Sequence, residues 1–94
     1  MTEETTAPSE PVIPPIDFTT FVLSMSTACM THLAEIDRPD SGRSEPNLPM
    51  ARQTIEILEM LEAKTRGNRT GEEERILEQV LEELREGYDR AASS

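Results

Sequence analysis

The chain has 94 residues, a mass of 10.5 kDa, a formal net charge of -10 and a pI near 4.4, so it has room for one domain, and folding buries roughly 64% of the surface that the unfolded chain exposes. Its aromatic residues are Phe18, Phe21 and Tyr88, with no Trp, which leaves a core of Leu, Ile, Val, Met and Ala that favours helices over a sheet sandwich. The charge argues against nucleic acid and a membrane surface as partners, because both are gripped by clustered Lys and Arg.

Residues 1–16 carry Pro8, Pro11, Pro14 and Pro15 among Glu, Thr and Ser, a composition too polar to offset ordering entropy, and a disordered tail is expected there. Val12-Ile13-Pro14-Pro15-Ile16 is its one apolar patch, either an approach to the first helix or a short docking peptide in polyproline form. The start, Met1-Thr2-Glu3-Glu4, is acidic where a secretory leader is basic. Cys29 is the single cysteine, so there is no internal disulfide, and a cytoplasmic location is expected.

Asp17 or Thr19 is placed to cap a first helix running to about Ala34. Phe18, Phe21, Val22, Met25, Ala28, Cys29 and Leu33 follow one helix face and are expected in the core. From Phe18 to Ala34 no Asp, Glu, Lys or Arg occurs. The stretch is near the lower length limit for a membrane span, but its Ser, Thr and His content fits a buried helix better. A second stripe, Leu23, Met30 and Ala34 with Ser26 and Thr27 beside it, implies cover on a further side. These five residues are the expected interface.

Asp37 to Asn47 breaks the periodicity with two prolines and a glycine and reads as a loop. Asn47 then caps a second helix, with Pro49 where its missing amide does no harm. Met50, Ala51, Ile55, Ile57, Leu58 and Leu61 cover about half of its circumference, opposite Arg52, Glu56 and Glu59. Lys64, Arg66 and a left-handed Gly67 end it. Thr70-Gly71-Glu72-Glu73 is a capping box for a third helix, from Gly71 to about Arg90, with Ile76, Leu77, Val80, Leu81, Leu84, Tyr88 and Ala91 on one face. So short a connection predicts that helices two and three form an antiparallel hairpin.

The chemistry that the residues could carry is thin. Cys29 and His32 have the spacing of a two-point metal grip or an activated thiolate, but no other Cys or His completes a site, and a small buried Cys beside a core His is the expectation. The clusters Glu72-Glu73-Glu74 and Glu82-Glu83-Glu86 lack the Asp and Gly framework of a calcium loop. No phosphate loop, catalytic triad or paired-carboxylate arrangement is present. No enzyme activity, no cofactor and no metal is expected.

Three segments carry a resemblance: Asp17-Phe18-Thr19-Thr20-Phe21-Val22-Leu23-Ser24; Ala51-Arg52-Gln53-Thr54-Ile55 with Leu58-Glu59-Met60-Leu61; and Lys64-Thr65-Arg66-Gly67-Asn68 leading into Glu73-Glu74. Over residues 17 to 88 the chain resembles the bacterial domain-of-unknown-function 1844 family, with which it shares the order of all three helices. The resemblance implies no biochemical activity. Cys29 departs from that family's pattern, as does Arg69, where a hydrophobic residue is expected.

The expectation is therefore an all-α protein with a single three-helix domain over residues 17–92. It is a small cytoplasmic interaction or scaffolding protein, homo-oligomeric through Leu23, Ser26, Thr27, Met30 and Ala34. The alternative is a regulatory subunit or adaptor that docks on a larger enzyme or complex.

Overall fold

The computed structural model describes residues 12–34 and 45–93, which form α1 (Phe18–His32), α2 (Leu48–Lys64) and α3 (Gly71–Ser93) with no strand among them. The part of the expected tail at residues 1–11, and residues 35–44, which include the expected loop from 37 to 44, lie outside the described residues.

Each helix end is fixed by hydrogen bonds that the sequence supplies locally. Asp17 caps α1, its Oδ1 accepting from the Thr20 N–H at 2.8 Å while its own backbone is extended (φ -124°, ψ 178°). That bond, formed to the charged carboxylate, holds the carboxyl below its ordinary pKa. At the other end α1 stops at His32, two residues before the expected limit. The Leu33 N–H donates to the Cys29 carbonyl and the Ala34 N–H to the Thr31 carbonyl, and Ala34 takes the left-handed conformation at φ 63°.

The Asn47 N–H donates to the His32 carbonyl at 2.6 Å, satisfying one of the carbonyls a helix end leaves free. The same residue's side chain accepts from the Met50 N–H at 3.2 Å and so caps α2. One asparagine thus ties the end of α1 to the start of α2.

Between α2 and α3 the expected capping box is present in both directions. The Thr70 N–H donates to Glu73 Oε1 at 2.8 Å, and the Glu73 N–H to Thr70 Oγ1 at 3.1 Å. Gly67 has φ 84°, as a left-handed terminator requires. Arg69 lies behind this turn with only 7% of its side chain exposed. Its guanidinium donates to the Glu62 carbonyl at 2.7 Å and to Thr65 Oγ1 at 2.9 Å, and stands 4.0 Å from Glu74. The arginine stem fills the apolar place expected there, while its head closes the end of α2 and meets the first turn of α3. Further along, Arg85 donates twice to Glu59 Oε2, at 2.8 and 3.2 Å.

The core is one cluster. Val22, Cys29 and Leu33 come from α1 and its end, Ala51, Ile55 and Leu58 from α2, and Leu77, Val80, Leu81 and Leu84 from α3. All three helices contact one another. The seams of α2 and α3 match the expected faces, with two additions that apolar periodicity does not signal, Thr54 and Gly87, both buried. Thr54 hides its hydroxyl by donating to the Met50 carbonyl. Met50, expected in the core, is 42% exposed.

The α1 seam differs more. Its centre lies among Val22, Ser26, Cys29 and Leu33, rotated from the expected face by roughly 60° at 100° per residue. Ser26 therefore faces inward and is 6% exposed, whereas Phe21 is 37% exposed and Ala28 is turned to the outside. Small Ser26 lets the helix backbones approach on that side, and the bulk of Phe21 is displaced outward in exchange.

Two substitutions test the helix ends. Ala34→Gly should raise stability to denaturant by about 1 kcal/mol, because glycine adopts the left-handed conformation without the penalty that a Cβ incurs. Arg69→Ala should cost about 2 kcal/mol, since it strips the stem's packing and leaves the Glu62 carbonyl without its donor; Arg69→Leu should lose less. Equal losses in Ala and Leu variants on chemical denaturation would refute the role of the stem.

Candidate functional site

No constellation of catalytic type emerges, and the residues that stand out form a surface. Because α1 turns Val22, Ser26, Cys29 and Leu33 inward, its outer side is built from Thr20, Phe21, Leu23, Ser24, Thr27 and Ala28, all exposed, with Leu23 at 48%. The Thr27 hydroxyl donates to the Leu23 carbonyl at 3.2 Å and the Thr31 hydroxyl to the Thr27 carbonyl at 3.1 Å. Both hydroxyls are satisfied within the helix, so these threonines offer methyl groups to whatever lies outside. The outer side is uncharged and more apolar than its composition suggests.

The five expected interface residues do not share one fate. Leu23 and Thr27 are exposed, Ala34 is half-buried, and Met30 is half-buried and packs on the core. Ser26 is enclosed within the chain and is not on the surface. Leu23, Thr27 and Met30 remain together as one flank of α1, with Ala34 just past its end, while Phe21, Ser24 and Ala28 form the other.

Beside the first flank is a notch of about 210 Å³ between α1 and α3. Met30, Leu33, Leu84 and Gly87 line its floor and Glu83, Glu86 and Arg90 its rim. The buried Gly87 presents no side chain there. A second groove of about 220 Å³, between α2 and α3, is lined by Arg52, Ile55, Glu56, Glu59, Arg85, Tyr88 and Asp89. Its two arginines are outnumbered by three carboxylates, and Arg85 is already engaged by Glu59.

Cys29 and His32 do not form a working pair. The thiol is fully buried and directed at the Ala51 carbonyl, 3.6 Å away, whereas His32 is half-buried at the end of α1. Burial pushes the thiol up to about 11, far from the thiolate that a nucleophile or metal ligand needs. Among the described residues no group of three His, Cys, Asp or Glu side chains is placed to hold a metal, and no helix is long and apolar enough to cross a membrane.

The helix order and the segments that carry the resemblance are matched by a family model, a domain of unknown function, over residues 15–90. The chain belongs to the domain-of-unknown-function 1844 family. Nothing among curated proteins or solved structures matches it. Of the two residues expected to depart from the family pattern, Cys29 is a buried core residue and Arg69, with 7% of its side chain exposed, closes the end of α2.

Cys29 should therefore react with an alkylating reagent orders of magnitude more slowly in the native protein than in denaturant. Because the unfolded thiol loses its proton near 9 and the folded one near 11, its contribution to stability is intact below pH 9 and is lost as pH rises through that interval. Fast native labelling at neutral pH would contradict the enclosed position.

Proposed function

We propose that the protein is a small, non-catalytic cytoplasmic interaction protein that works as a homodimer through the Leu23–Thr27–Met30–Ala34 flank of α1. One observation carries this reading: in a chain of net charge -10, α1 bears no Asp, Glu, Lys or Arg, yet leaves Leu23 half-exposed and the adjoining threonine hydroxyls bonded back to their own helix. A helix that only met water would gain from charges on its outer side.

The remaining surface supports the same partner. Most of the described charges sit on α2 and α3, where Glu72, Glu73, Glu74, Glu78, Glu82, Glu83 and Glu86 dominate. Two copies repel one another through those helices over a Debye length of about 8 Å at physiological salt. Contact through α1 lets them meet while their acids stay apart. The absence of a basic cluster fits neither nucleic acid nor an anionic membrane, and a single histidine with an enclosed thiol offers no catalytic chemistry.

Light scattering at micromolar concentration should return twice the chain mass. Leu23→Glu should restore the single mass without loss of helical circular dichroism, since the residue lies outside the core. A monodisperse monomer from the native sequence overturns the reading.

A further inference from the structure

The segment Val12–Ile16, just ahead of α1, belongs to no helix or strand and is exposed throughout, with Val12 96%, Ile13 79% and Ile16 66% exposed. Three large aliphatic side chains in water on five residues are an unusual expense of apolar surface. Pro14 and Pro15 remove two successive N–H groups, so the segment has no ladder to offer a sheet edge and must dock by its side chains. In polyproline form, with three residues per turn and about 3.1 Å per residue, Ile13 and Ile16 fall on one edge about 9 Å apart.

We infer that this arm straps the dimer: Ile13 and Ile16 of one copy seat in the notch formed by Met30, Leu33, Leu84 and Gly87 of the second copy. The inference rests on the α1-mediated dimer proposed above and adds what that contact lacks. With 15 residues α1 is about 22 Å long, and one flank of it has a footprint on the order of 220 Å², well short of the roughly 800 Å² per partner of a stable interface. A second apolar contact is required.

The geometry of a two-fold pair brings the arm to the notch. Two copies of one helix on a two-fold axis pack antiparallel when their dipoles and their Asp17 carboxylates are kept from lying side by side. If Leu23 faces the partner's Ala34, Asp17 lies about 9 Å beyond that Ala34 and about 12 Å beyond the end of the partner's α1 at His32. The partner's α3 extends into that same space, because Met30 and Leu33 adjoin Leu84 and Gly87 and α3 continues to Ser93. Met30 belongs both to the paired flank and to the notch, so the two contacts are continuous. The hollow, about 210 Å³, exceeds the ~150 Å³ apolar cavity that takes up benzene.

The chain's own notch is less accessible to its arm, because Met30 lies about 20 Å along α1 from Asp17, farther than the four residues from Ile13 to Asp17 span at about 3.1 Å each. A groove on a foreign protein would have to compete with a tethered site, which a short flexible link presents at millimolar effective concentration.

Ile13→Cys in the full chain accepts a spin label selectively, since the native thiol is enclosed. Mixed with an isotope-labelled native chain, it should broaden the Gly87 and Arg90 amides of that native copy; a second sample, in which the spin-labelled chain alone carries the isotope, reads its own amides. Val12→Ser/Ile13→Ser/Ile16→Ser, at positions outside every helix, should weaken the dimer at least tenfold with unchanged circular dichroism. A dimer of unaltered affinity without cross-chain broadening overturns the strap and leaves the α1 contact standing; a single-chain mass at all concentrations overturns both. Broadening confined to the labelled copy itself assigns the arm to its own chain and overturns the exchange, as does arm-dependent capture of a different protein with no cross-chain signal.

Discussion

The organisation of this protein depends on a separation of charge along its sequence. Nineteen acids and nine bases are distributed over 94 residues, yet the seventeen from Phe18 to Ala34 hold none of them. An uncharged helix could be explained by complete burial in a large protein, but a three-helix domain of this size has only two neighbours to offer it. Val22, Ser26, Cys29 and Leu33 use up the inward side. What is left over, with Leu23 and Phe21 at its two edges, is neither charged enough to be a solvated face nor covered by the chain's own core.

How far that surface is defined depends on how firmly α1 is held in rotation. Asp17 fixes the start, and the Asn47 N–H, bonded to the His32 carbonyl, fixes the finish relative to α2. The α2–α3 pair is closed at one end by Arg69 and the capping box and joined further on by the Glu59–Arg85 ion pair. The pair, half-exposed on both sides, contributes at most about 1 kcal/mol; the buried Arg69 contacts matter more, because removing them strands a backbone carbonyl. A rotation of α1 by one residue step would turn Ser26 out and Phe21 in, changing the paired flank and the notch together, so these end contacts are part of the surface's specification.

Much of this was legible in the residues and some was not. The number and order of helices, the caps at Asp17 and Asn47, the left-handed Gly67 and the Thr70–Glu73 box follow from local chemistry, where a side chain meets a backbone group three residues away, and all of them are present. The rotation of α1 was not legible, because its two candidate stripes differ little in hydrophobicity and packing against α2 and α3 decides between them. That decision placed Ser26 inside, although it reads from sequence as part of the outer stripe. Thr54 and Gly87 escaped notice for a related reason: a threonine whose hydroxyl is returned to its own helix is apolar in effect, and a glycine contributes to a core by leaving room. The notch that Gly87 helps to line belongs to no sequence motif.

The acids on α3 then have a role that does not depend on attraction. Every approach of two copies that brings α3 to α3, or α3 to the groove between α2 and α3, sets carboxylates against a surface that already carries an excess of them, at a cost that grows as water is expelled. The approach through α1 that we propose avoids this, and if both copies use the same flank, the pair closes on a two-fold axis and offers no free α1 surface to a third. A mixed surface of ordinary polarity would permit several such contacts of similar weakness. In the proposed dimer, confining neutrality to one helix restricts self-association to one geometry, which is how specificity is obtained when the contact area is small.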